Sequence, residues 1–159
     1  MSYENKLGII LGGICGDILG SQTEGKTRES ISKGYFNGWV ERFPERKEYT
    51  DDGEMTLILL RHLVKNRIID TKELHIEFGS VDFKKGYSSN TRRILQEIKK
   101  NRNFSVYSCG NSCTNGAIMR ISPIAVSDIT DKEMKDEVKK AIYYTHGGNP
   151  DAHTTVVRF

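Results

Sequence analysis

The stretch YTDDGEMTLILLRHL, Tyr49 to Leu63, decides how this chain is read. Met55, Leu59 and Leu63 recur every four residues, and Ile58 and Leu60 widen that apolar face, so the spacing predicts an amphipathic helix. At its start stand a threonine and two adjacent aspartates, which have two readings. Thr50 or Asp51 can accept hydrogen bonds from the open N–H groups of the first turn, both carboxylates oppose the positive helix end, and Asp51 with Glu54 has capping-box spacing. Alternatively, the hydroxyl and two carboxylates offer three oxygens to a hard divalent cation, which wants more than three and would draw the rest from elsewhere. Taken alone, the three residues favour the cap.

Outward from this helix, others follow. Thr71 to Phe78 predicts a short one. TRRILQEIKKN, capped by Asn90, predicts another, with a narrow apolar stripe of Ile94, Leu95 and Ile98. Thr130 and Glu133 form a capping box ahead of Met134, Val138, Ala141 and Ile142, a helix closed by His146, Gly147 and Gly148. Asn149-Pro150-Asp151 then marks a further helix start, with no stop signal before Phe159. In GIILGGICGDILG the glycines at 8, 12, 16 and 20 line one helical face. Each interior glycine costs roughly 1 kcal/mol against alanine, so the stripe implies that a packed helix, or a ligand, comes close; helix packing is the favoured reading. Gly25 to Glu48 reads as a long surface connection. SVYSCGNSCTNGAIMRISP reads as a binding loop entering a helix, with Pro123 interrupting the apolar run. Almost no segment alternates with the two-residue period of a strand, so the fold class is all-α.

The 159 residues, 36% hydrophobic and 28% charged, fit one compact domain, 1–159. The net charge of +3 is spread along the chain, which argues against nucleic acid as a partner. Three cysteines make neither a disulfide framework nor a paired metal spacing, so a reducing, cytoplasmic setting is expected. The apolar run from Leu7 to Leu19 contains Asp17, has no cleavage site after it and is too short to span a bilayer, so no membrane is expected. His62 and His75 fall in helical stretches as packed or solvated side chains. Cys109 and Cys113 lack the two further ligands of a zinc site.

GDILGSQTE, YTDDGEMTL, SCTNGAIMRISP and the later Thr145-His146 resemble, in order, landmarks of the ADP-ribosylglycohydrolase family. The likeness covers essentially the whole chain. It implies a helical protein holding two magnesium or manganese ions and removing ADP-ribose from modified protein side chains. Carried across by position, it makes Thr50, Asp51 and Asp52 metal ligands, and Glu24 and Asp52 the candidate catalytic carboxylates. Ser112, Cys113, Thr114, Asn115 and Gly116 would border the ADP-ribose, with Gly86 and His146 as further contacts. A flexible loop rich in Gly, Ser and Asn offers N–H donors suited to phosphate.

The chain departs from the family pattern at Gly53, where threonine is usual, and at Thr114, where glycine is usual. The family's D-x-D-S/T metal motif, near the end of a longer domain, has no counterpart here. The expectation is therefore a compact helical domain, C-terminally truncated, whose hydrolysis of the bond between ADP-ribose and a protein side chain is impaired by a half-complete metal shell. The alternative is a non-catalytic ADP-ribose-binding module or a remnant.

Overall fold

The computed structural model describes residues 1–32, 48–101, 112 and 114–150. Among them every regular element is helical. The elements are α1 (Tyr3–Gly20), α2 (Arg28–Ser32), α3 (Asp51–Asn66), α4 (Thr71–Phe78), α5 (Ser89–Asn101), a 3₁₀ turn at Asn115–Ala117, α6 (Ser122–Ala125) and α7 (Asp131–His146). The all-α reading holds. No helix among the described residues is long and apolar enough to cross a membrane.

The core forms where the four-residue spacing of α3 meets those of α4, α5 and α7. Met55 and Leu59 of α3, Leu74 and Phe78 of α4, and Ile142 of α7 are all fully buried in one cluster. Leu95 and Ile98 of α5 join them, with Ile94 packed at the edge, as the stripe predicted. Burying a side chain of this size contributes roughly 1.5–3 kcal/mol, so this cluster carries most of the fold.

Local capping chemistry sets the helix starts. Thr50 Oγ1 accepts from the Asp52 N–H at 3.3 Å and begins α3. Asp70 Oδ1 accepts from the Glu73 N–H at 2.9 Å and begins α4. Thr130 and Glu133 form the expected reciprocal box at α7, the Thr130 N–H donating to Glu133 at 2.8 Å and the Glu133 N–H to Thr130 Oγ1 at 3.3 Å. At α5 the cap is Ser88 rather than Asn90: Ser88 Oγ accepts from the Thr91 N–H at 3.2 Å, so the helix opens at Ser89, ahead of the expected start.

Three other expectations are corrected. The connection after Gly25 contains a short helix, α2, over Arg28–Ser32, and its remainder over 33–47 lies outside the described residues. Pro123 starts α6 rather than breaking it, because its missing N–H falls in the first turn, where no helical partner exists. Among the described residues nothing packs on the glycine stripe of α1, where a neighbouring helix was the favoured reading: none of their atoms lies within 4 Å of where a Cβ would sit at Gly8, Gly12, Gly16 or Gly20. Only Ile10 of α1 is buried. The helix start at Asn149-Pro150-Asp151 passes outside the described residues after Pro150, and His153, Cys109 and Cys113 also lie outside them.

His62 and His75 are structural, as read. His62 Nε2 accepts from the Asp70 N–H at 3.2 Å while Nδ1 meets Glu77 at 2.9 Å. His75 donates from Nδ1 to the Thr71 carbonyl at 2.7 Å and stands edge-on to Phe78 and Tyr144. Burial, helped by the Arg120 cation, holds its pKa down at about 3, so it is neutral.

Candidate functional site

The apolar run of α1 carries one charge, Asp17, and that carboxylate organises the start of α3. It accepts from the Thr50 N–H at 2.8 Å, the Thr50 hydroxyl at 2.5 Å and the Gly53 N–H at 2.9 Å. The open N–H groups of α3 are thus satisfied partly by Thr50 and partly from another helix. The Asp51 carboxylate is held only by its own backbone N–H among the described residues, and Asp52 has no such donor among them. Glu54, whose spacing suggested a box with Asp51, turns away instead, accepting from the Tyr87 hydroxyl at 2.8 Å and the Asp82 N–H at 3.0 Å. These bonds, with Lys85 donating to the Tyr49 carbonyl at 2.7 Å, pin the 82–87 segment beside α3.

Gly86 lies in that segment. A Cβ there would sit 2.8 Å from Asp51 Oδ1 and 3.8 Å from Glu24 Oε1, so any larger residue would push the Asp51 carboxylate from its place. Glu24 comes from the turn after α1, where the left-handed φ of 70° at Gly25 redirects the chain. Opposite, the Thr56 hydroxyl shares its one proton between the Asp52 carbonyl at 2.7 Å and the Met119 carbonyl at 3.1 Å, which ties α3 to the segment following the 3₁₀ turn.

Two cavities result. One of about 380 Å³ is bounded by the glycine face of α1 at Gly13, Gly16 and Gly20 together with Thr50 and Asp52. The other, about 110 Å³, is lined by Asp51, Gly86, Thr114, Gly116, Arg120 and His146. Glu24, Asp52 and Asn115 border both. Gly16 and Gly20 of the glycine stripe thus line the larger cavity.

The electrostatics tests whether this acidic strip suits a cation. Burial raises the Asp52 carboxyl to about 6, with Asp51, Asp17 and Glu24 adding repulsion. Burial also raises Asp51, again with Glu24 and Asp17 contributing, and among the described residues no positive group acts on either. Carboxylates held together in this way favour a bound divalent ion, which would relieve the repulsion. Among the described residues no three acidic, histidine or cysteine side chains stand close enough together to hold a metal ion by themselves.

Of the expected site residues, the structure gathers Glu24, Asp51, Asp52, Gly86, Thr114, Asn115, Gly116 and His146 around the smaller cavity, with Thr50 on the larger. Ser112 is buried just behind, its hydroxyl 3.3 Å from that of Thr114. Cys113 lies outside the described residues. A family model described as ADP-ribosylglycohydrolase matches residues 2–157. The chain belongs to the ADP-ribosylglycohydrolase family. An ADP-ribosyl-[dinitrogen reductase] glycohydrolase of Rhodospirillum rubrum is 29% identical over 140 residues, covering 80% of this chain and 46% of that protein. This ADP-ribosylglycohydrolase-family chain thus spans about half the length of that relative.

Sequence reading missed Asp17 and Arg120. The signal for Asp17 was present, as the one charge in the otherwise apolar run from Leu7 to Leu19. Arg120 is fully buried, donating to Thr145 Oγ1 and, at 3.4 Å, to Met55 Sδ, with its guanidinium 5.0 Å from the centre of the Phe78 ring. Burial lowers it to about 10, so it stays cationic at neutral pH.

Proposed function

We propose that this chain provides the ADP-ribose-binding and acidic part of a hydrolase that cleaves the glycosidic bond between ADP-ribose and a protein side chain, assisted by magnesium or manganese. What carries the reading is the convergence of Glu24, Asp51 and Asp52 on a cavity walled on its other side by Asn115, Gly116 and His146. Family membership supports it. Thr50, Asp51 and Asp52 would hold the divalent ion. When bound, that ion supplies positive charge that acidifies water and orients ribose hydroxyls.

The chain's own groups divide the remaining work. Asn115 and Gly116 border the ADP-ribose, and Gly86 leaves room for it beside Asp51. Glu24, whose carboxylate makes no hydrogen bond to a described residue, takes the proton from the attacking water as its oxygen bonds to the anomeric carbon. The bond to the side chain breaks through an oxocarbenium-like transition state, its electron pair stays on the side-chain heteroatom, and that atom takes up the proton Glu24 received, so that ADP-ribose and the unmodified side chain separate.

Isothermal titration of the folded chain with ADP-ribose, with and without magnesium, tests this. Tighter binding with magnesium, followed by magnesium-dependent release from an ADP-ribosylated protein, is the expected result. Absence of binding in a folded sample would overturn the reading, and metal-independent binding without release would make the chain a reader instead. Asn115→Ala removes a side chain shared by both cavities, and its ADP-ribose dissociation constant without metal is expected to rise about tenfold, the scale of one or two lost hydrogen bonds. An unchanged constant would remove Asn115 from the binding surface.

A further inference from the structure

The position before Asn115 holds threonine where the family resemblance leads one to expect glycine. Thr114 is the residue preceding the 3₁₀ turn, yet its hydroxyl does not cap that turn. It lies 3.0 Å from His146 Nε2 instead. On the other side of the ring, His146 Nδ1 is 2.8 Å from Thr145 Oγ1. That oxygen also receives Arg120 Nη2 and stands 3.2 Å from the Ile142 carbonyl.

With a neutral imidazole, only one arrangement of protons makes every contact a hydrogen bond. Arginine can only donate, a carbonyl can only accept, and a hydroxyl has one proton. Thr145 must therefore give its proton to the Ile142 carbonyl and accept from both Arg120 and His146. His146 then carries its proton on Nδ1. Its bare Nε2 accepts from the Thr114 hydroxyl, which in turn accepts from Ser112 at 3.3 Å. The backbone reinforces the link, since the Ser112 N–H donates to the Thr145 carbonyl at 3.2 Å.

We propose that Thr145 is a positioning residue: its hydroxyl, oriented by Arg120 and the Ile142 carbonyl, fixes His146 in the Nδ1–H tautomer so that Nε2 holds Thr114 and the turn through Gly116 against the smaller cavity. Thr145 itself does not line that cavity. Burial and the Arg120 cation bring the His146 pKa down to about 4, which keeps the ring neutral for this role.

The effect on affinity rests on the proposed ADP-ribose site; the tautomer does not. Nitrogen NMR of the histidine-labelled chain is expected to show His146 with a protonated Nδ1 and a bare Nε2. In Thr145→Val an Nδ1 proton would be buried without an acceptor, so the proton is expected to move to Nε2 and donate to Thr114. ADP-ribose affinity should then fall about tenfold, and Thr145→Ser should restore both readouts. An Nε2–H tautomer in the unmodified protein overturns the proposal, as does an unchanged tautomer in folded Thr145→Val. Should that variant not fold, the tautomer of the unmodified protein decides. A chain that shows the Nδ1–H tautomer yet binds no ADP-ribose would refute the functional reading and leave the role of Thr145 standing.

Discussion

Asp52→Asn is expected to yield a protein that is more stable without metal and inactive with it. Asp52 sits half-buried at the start of α3 with its carboxyl raised from 3.8 to about 6. A raised carboxyl means that the folded state holds the proton more tightly than the unfolded chain. Folding stability therefore falls as pH rises between about 4 and 6, and the penalty is fully present at neutral pH. Two units would correspond to roughly 3 kcal/mol, and partial exposure reduces this to about 1–2 kcal/mol.

Asparagine keeps the shape and removes the charge. It also forfeits a favourable carboxylate at a helix start, worth about 0.3–1 kcal/mol, but burial and three neighbouring carboxylates outweigh that. The melting temperature without metal should rise by about 2–6 °C at pH 7 and change little at pH 4. Magnesium should stabilise the unmodified protein at pH 7 and the variant far less, because one of the proposed ligands is gone. Turnover should fall on the order of a thousandfold. Asp51→Asn should likewise abolish magnesium-dependent release while leaving the fold intact. Turnover equal to that of the unmodified protein, or a lower melting temperature at pH 7 without metal, would refute the assignment of Asp52.

Features determined within one helical turn were legible in the sequence. Thr130 and Glu133 make their box because both partners lie within four residues, and Thr50 caps α3 for the same reason. The core stripe of α3 followed from its period. Ser88 displaced Asn90 because several polar residues precede the stripe, and propensity alone does not choose among them. The glycines of α1 were ambiguous because a close helix and an open cleft require the same absence of side chains; only the tertiary arrangement distinguishes them. Glu24 and Gly86 reached the expected site list through family resemblance, since nothing local brings residues 62 positions apart to Asp51. The Arg120–Thr145–His146 network was illegible because its geometry depends on how α7 packs against the segment after the 3₁₀ turn.

Gly53→Thr, which restores the residue expected from the family pattern, should destabilise this chain. A Cβ at Gly53 would fall 2.7 Å from Asp17 Oδ2 and 2.7 Å from Tyr49 Cβ. Tyr49 Cβ is fixed to the backbone and cannot swing aside. Asp17 can move only by giving up hydrogen bonds to Thr50 and to Gly53 itself, and a bond to a charged group contributes about 1.5–3 kcal/mol. Threonine gains about 0.5 kcal/mol in helix propensity over glycine, too little to offset the clash. A net loss of about 2–4 kcal/mol, or on the order of 10 °C in melting temperature, is expected. The loss also has a functional reading, because Asp17 holds the strip that presents Asp51 and Asp52. Gly53→Thr should therefore weaken the magnesium-induced rise in melting temperature even below the new midpoint, whereas a core truncation of equal cost would lower the midpoint and preserve that rise. An undiminished magnesium response together with an unchanged midpoint would mean that Asp17 does not grip α3 at Gly53, and the contact between α1 and the TDD strip would have to be redrawn.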